Sequence, residues 1–403
     1  MPSHIDVLCG DYRGAMVTNS RAILADSKYL EQEGPLNFYT LYRCHNYHFK
    51  LYSAMFLGQY QPALEAADQL MSTIREELLR VEQPPMADWL EGFVSMKVHV
   101  QIRFGKWQDI LATPLPNDQA LYCVTTAMLH YARGVAHAAT GYIAAAEAEQ
   151  RLLLEAWTRV PDTRYLFNNK CTDILAVAAG MLSGEIEYRK GNYDDAFAHL
   201  RQALSLDDNL PYDEPWGWMQ PVRHALGALL LEQGRVEEAL QAYRADLGLD
   251  NTLSRASWHL DNVWSLHGYA ECLRRLDWMP KLRNRPAPLR LVNSIQHRAQ
   301  ERAFIIQDNS SLGSLRHQSD AFLVPLAFFA IVNVMAPCKD ACRHLRHPPA
   351  IAAYPTGCAR NGFERLRGHL RPARLSSLTA SHLVADRRGN PLKSSPFGSA
   401  CRR

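Results

Sequence analysis

The chain has 403 residues and a hydrophobic content of 47%, enough apolar material for a large core and too much for a wholly disordered protein. Its formal net charge of +3 conceals an asymmetry: residues 1–280 hold 24 Lys+Arg against 35 Asp+Glu, and residues 281–403 hold 20 against 6. Nine cysteines, an odd number with the first five far apart, and an N-terminus without a basic and apolar leader predict reduced thiols and a cytoplasmic protein, not a disulfide framework.

In chain order, one phrase recurs: a Gly closing a helical stretch, an aromatic or aliphatic residue two later, and a small or aliphatic residue five later. It reads Gly10-Asp11-Tyr12…Ala15, Gly58-Gln59-Tyr60…Ala63, Gly105-Lys106-Trp107…Ile110, Gly141-Tyr142-Ile143…Ala146, Gly191-Asn192-Tyr193…Ala196 and Gly234-Arg235-Val236…Ala239. Glycine can end a helix in a conformation that a Cβ would penalise. The small residue lets two helices approach closely, so each phrase predicts the corner of a helical hairpin. The first copy has only nine residues before its Gly, too few for a full first helix. Successive glycines are 48, 47, 36, 50 and 43 residues apart, and the surplus is expected in loops at 81–85, 113–117 and 207–211. Residues 209–221, with Tyr212-Asp213-Glu214-Pro215-Trp216-Gly217-Trp218, are too rich in Pro and Trp for plain helix. The last helical segment, Trp264…Gly268-Tyr269…Leu273, is a first helix without a second, since Asp277-Trp278-Met279-Pro280 follows.

The spacing Leu182…Gly184…Tyr188…Gly191…Tyr193…Ala196…Ala203-Leu204, echoed by Gly227…Gly234…Ala239…Tyr243, resembles the tetratricopeptide repeat family, although its unit is roughly 34 residues and these are longer. The resemblance implies an all-α fold over residues 1–280, a right-handed superhelical solenoid of about six antiparallel helix pairs, truncated at the N-terminus and with no β-sheet. It also implies that first helices line a concave groove. Carried over residue by residue, that groove comprises His45, His48, Tyr52, Phe56, His99, Arg103, Tyr131, Glu185, Tyr188, Arg189, His224 and Glu232. A surface of this kind, aromatic with mixed charge, suits an extended peptide.

Other candidate chemistry is thin. His45 and His48 lie one helical turn apart and could share a proton or a metal, with His99 approaching from the next unit, but no carboxylate stands near them in sequence. Asp213-Glu214 could form a carboxylate pair; the simpler reading has Trp216 and Trp218 plugging the loop onto the array and the acids in water. No nucleotide-binding, hydrolase or metalloprotease motif is present, so neither a catalytic residue nor a cofactor or metal site is expected.

The tail, 281–403, has 17 Arg but only 3 Lys and no sustained helical period. It reads as disordered, or as the patternless product of a retained intron or frameshift. The apolar run at 321–336 is short for a membrane span of roughly 20 residues. Cys338, Cys342, His344 and His347 lack a usual zinc-finger spacing, and the Arg-rich stretch at 360–388 has no recognised nucleic-acid fold. Together these features predict a non-catalytic scaffold for a protein or peptide partner, with no specific nucleic acid and no membrane span. The alternative is an accessory protein or enzyme of metabolite biosynthesis that handles a small molecule on the His-bearing face.

Overall fold

The structure, a computed structural model, describes residues 2–277. It is helix-rich: α1 (Pro2–Leu8), α2 (Tyr12–Glu33), α3 (Thr40–Phe56), α4 (Tyr60–Thr73), α5 (Glu76–Leu79), α6 (Met86–Val94), α7 (Met96–Arg103), α8 (Trp107–Ala112), α9 (Cys123–Ala139), α10 (Ile143–Trp157), α11 (Cys171–Lys190), α12 (Tyr193–Asp208), α13 (Val222–Glu232), α14 (Val236–Asp246) and α15 (Val263–Arg275). A single 3₁₀ turn spans Arg255–Ser257. The boundary expected at 280 and all the tail readings (321–336, 360–388, and Cys338, Cys342, His344 and His347) lie outside the described residues.

The marker phrase is mechanical. At Gly191 (φ 86°) the backbone turns left-handed, the Gly191 N–H reaches the Tyr188 carbonyl at 3.0 Å, and the Asn192 N–H reaches the Glu187 carbonyl at 2.9 Å. This Schellman closure satisfies carbonyls that the helix end would otherwise leave unpaired. Among the described residues a Cβ on Gly191 would meet nothing within 4 Å, so the glycine is required by the backbone conformation and not by crowding. The same two bonds close α1, α3, α7, α9 and α13 at Gly10, Gly58, Gly105, Gly141 and Gly234, and each partner helix begins two residues after its glycine. Gly248 closes α14 in the same way.

Each first helix packs on its second, and each second helix on the first helix of the following pair. The small positions sit at the closest approaches. Ala15, Ala63, Ala146, Ala196 and Ala239 are fully buried, as is Ile110 in the third copy. A Cβ on Gly184 of α11 would stand 2.7 Å from Leu200 Cγ of α12. The ring of Tyr243 on α14 lies against Gly227 of α13 and Gly268 of α15, where any side chain would displace it.

Three departures from expectation have local causes. The helix before Gly105 is broken at Ser95, whose hydroxyl bonds the Gly92 carbonyl at 2.8 Å and competes with the helical ladder. A two-stranded antiparallel ribbon, β1 (Tyr165–Leu166) and β2 (Asn169–Lys170), is a small departure from the expectation of no β-sheet. It occupies part of the surplus between Gly141 and Gly191, and Asp213 clamps it by accepting from Asn168 N–H at 3.1 Å and Asn169 Nδ2 at 3.2 Å. Finally, Asp207 and Asp208 complete α12, so the expected 207–211 loop starts at Asn209.

Candidate functional site

Residues 209–221 form no helix; they run inward across the first helices. The Trp218 indole N–H points to Met181 Sδ at 3.2 Å, and its ring lies edge-on to Tyr131 and His99. Met219 Sδ lies 2.9 Å from His48 Nε2, and Gln220 Nε2 donates to the His99 carbonyl at 2.9 Å. Trp216 stacks on Tyr52 and abuts His259, with ring centroids 4.4 Å apart. Glu214 pairs with both His4 and Tyr212.

This segment decides the fate of the expected groove. His45, His48, Tyr52, Phe56, His99, Arg103, Tyr131, Glu185, Tyr188 and His224 are all buried, while Arg189 and Glu232 are partly buried. The space in front of Tyr52, His48, His99 and Tyr131 is filled by the chain's own Trp216, Trp218, Met219 and Gln220, so these four side chains line a packed interior and not an open channel. Arg189 Nε donates to Glu185 at 2.8 Å, and Tyr188 Oη accepts from Gln233 at 2.8 Å.

His45 and His48 do not act as a pair. His45 Nε2 lies 3.2 Å from His4 Nε2, whereas His48 turns to Met219. Burial lowers His45 to about 4 and His48 to about 3, so both rings are neutral at physiological pH. Among the described residues no group of three or more His, Cys, Asp or Glu could hold a metal ion. The expectation that Asp213 and Glu214 face water is corrected, because Asp213 is buried at the ribbon and Glu214 is held between His4 and Tyr212.

The interior also holds a charge relay that the repeat phrase did not reveal. The fully buried Asp246 carboxylate, at the end of α14, accepts from His224 Nε2 (3.0 Å), His259 Nδ1 (2.8 Å), Asn262 Nδ2 (2.9 Å) and Ser265 Oγ (2.6 Å). Burial alone would raise its pKa, but His224 and His259 outweigh that and hold it well below the usual carboxylate range. His224 Nδ1 lies 3.1 Å from the Arg103 guanidinium. Burial lowers Arg103 to about 10, still charged at neutral pH, and burial lowers His224 to about 4. A neutral imidazole thus bridges a buried cation and a buried anion. His224 and Arg103 were named from sequence; Asp246, His259, Asn262 and Ser265 were not. The signal available for them was Gly248, a seventh marker glycine two residues after Asp246.

An open cleft of about 1010 Å³ lies elsewhere, between the end of α4, α5, α7, the 113–122 connection and α9. Val98, Leu115 and Leu129 give it an apolar lining, and Arg80, held by Glu76 and Asp118, and Lys97, held by Asp68, are charged residues beside it. Gln101 also lines it; this side chain is only 3% exposed, and its Oε1 has no hydrogen-bond partner among the described residues.

No protein-family model and no curated protein matches the chain. No helix among the described residues is long and apolar enough to cross a membrane.

Proposed function

We propose that the chain is a non-catalytic interaction scaffold, a right-handed superhelical array of tetratricopeptide-like helix pairs, and that its partner is an extended peptide. The six in-phase Schellman corners and the packing of each second helix on the following pair support the array. The peptide is assigned to the cleft beside α7 and not to the first-helix faces, much of whose space the 209–221 segment already fills. The observation that carries this reading is Gln101: a buried primary amide with an unused acceptor, set in an apolar cleft, matches the N–H of an extended peptide whose apolar side chain lies against Val98, Leu115 and Leu129.

Because leaving a buried acceptor unpaired costs about 1–3 kcal/mol, Gln101→Leu is expected to keep or raise the melting temperature while losing peptide affinity by about tenfold or more. The measurement is fluorescence polarisation against an arrayed set of octapeptides with Leu, Phe or Asp at the centre, using wild type, Gln101→Leu and Leu115→Asp. Selective binding of apolar-centred peptides, lost in both variants, supports the assignment. If no apolar-centred peptide binds, or both variants bind as wild type does, the assignment is wrong.

A second reading, an accessory protein or enzyme that handles a small molecule on the His-bearing interior, is favoured by one observation: His259 Nε2 is buried with no hydrogen-bond partner among the described residues.

A further inference from the structure

A second, smaller cleft of about 100 Å³ opens between the end of α12, the start of the 209–221 segment and the 3₁₀ turn at Arg255–Ser257. Asp207, Tyr212, Trp216, Arg223, Ser254 and His259 line it. Its groups are unevenly used. The Arg223 guanidinium is bound two-to-two by Asp208, so two of its five N–H groups are engaged and its charge is balanced at the cleft. Asp207 Oδ2 accepts the Val222 N–H at 3.1 Å, and no second hydrogen bond engages its Oδ1 among the described residues. The His259 ring is fixed by its Nδ1 bond to Asp246, which leaves Nε2 as a lone-pair acceptor, and that atom has no hydrogen-bond partner among the described residues. What remains for a ligand is a carboxylate oxygen, an imidazole acceptor and the aromatic rings of Trp216 and Tyr212.

With Arg223 charge-balanced by Asp208 and Asp207 left as a second carboxylate, the cleft disfavours an anion and suits an ammonium group, which offers only donors and is attracted to ring faces. We infer that this cleft binds the protonated amine head of a small aliphatic amine, with Asp207 as counter-charge, His259 Nε2 as second acceptor and Trp216 as aromatic wall. The volume holds the ammonium and its first carbons, and the remainder of the ligand would leave past Ser254. The site is separate from the cleft at Gln101, so either assignment can fail without the other.

The pH dependence has a definite sign. Burial raises Asp207 to about 7, with Asp208 adding to the rise and the Val222 N–H, His259 and Arg223 opposing it. An ammonium favours the carboxylate form, so affinity should rise as Asp207 ionises, by about tenfold between pH 6 and 8. Arg223, raised by its bond to Asp208 against the effect of burial, stays charged through this window. Tyr212, raised by burial and by Glu214, stays neutral.

The test is isothermal titration calorimetry of the full chain with n-butylamine at pH 6, 7 and 8, with n-butanol and butyrate as controls of equal length. Wild type should bind the amine saturably and neither control. Asp207→Asn, which keeps the Val222 N–H acceptor, should weaken binding at pH 8 by about tenfold and flatten its pH dependence. Ser254→Phe, an exposed substitution at the rim that leaves the buried relay intact, should abolish binding. Absence of amine binding in wild type, equal binding of n-butanol, or unchanged binding in Asp207→Asn and Ser254→Phe would each overturn the inference.

Discussion

Asp246 concentrates the electrostatic risk of the molecule. Four donors converge on one buried carboxylate, and one of them, His224, links it to the only partly neutralised Arg103. Asp246→Asn keeps the shape but removes the negative charge, leaving Arg103 buried without its counter-ion. Breaking a buried pair from one side costs about 3–5 kcal/mol, so urea denaturation should show a loss of that order. A loss below about 1 kcal/mol would mean that Arg103 reaches water. This residue also marks the limit of sequence reading. Arg103 and His224 were legible because the repeat phase places them on first helices. Asp246, His259 and Asn262 come from a helix end and a connection, where no period constrains what a side chain will meet.

At the scale of the helix, the alanines five residues after five of the six marker glycines set how closely a pair can pack. Ala196 is fully buried beside the Gly184–Leu200 contact, and Ala239 beside Tyr243. Overpacking costs about 1–3 kcal/mol and burying an unpaired charge costs more, so Ala196→Arg and Ala239→Arg should each lower the melting temperature sharply in calorimetry. An unchanged transition in both would show that these are not close-approach sites. The helices were readable because glycine, aromatic and alanine act within one turn of a shared corner. The β1–β2 ribbon and the inward course of 209–221 were not, since both depend on partners far along the chain: Asp213 for the ribbon, and His48, His99 and Met181 for the segment. Trp216 and Trp218 announced a plug by composition alone, without saying what it would close.

Taken whole, the described residues bury histidines that must stay neutral. Burial lowers His45 and His224 to about 4, and His48 and His99 to about 3, against roughly 6.5 in an unfolded chain. Between those values the unfolded chain binds more protons, so stability falls as pH drops below about 6.5, by about 2 kcal/mol for each such histidine at pH 5. Asp207 and Asp213, raised by burial to about 7 and about 6, act in the opposite sense because the folded state holds their protons longer. His267 is also lowered by burial, and Asp6, Glu91 and Glu232 are also raised by it; the histidines still leave a net loss on acidification, and thermal melts from pH 7.5 to 5 should show a falling midpoint. A flat profile would mean that the histidines are solvated. The inward segment and the Trp264 indole N–H, which donates to the Met55 carbonyl at 2.9 Å across 209 residues of sequence, have a further consequence. Helix pairs that touched only their neighbours could unzip from either end, one after another. Here the early and late pairs are fastened directly to each other, so neither end can fray without loosening the other. The chain should therefore unfold in one cooperative step, with coincident circular dichroism and tryptophan fluorescence transitions, and it should refold slowly, because distant segments must find each other before either is rewarded.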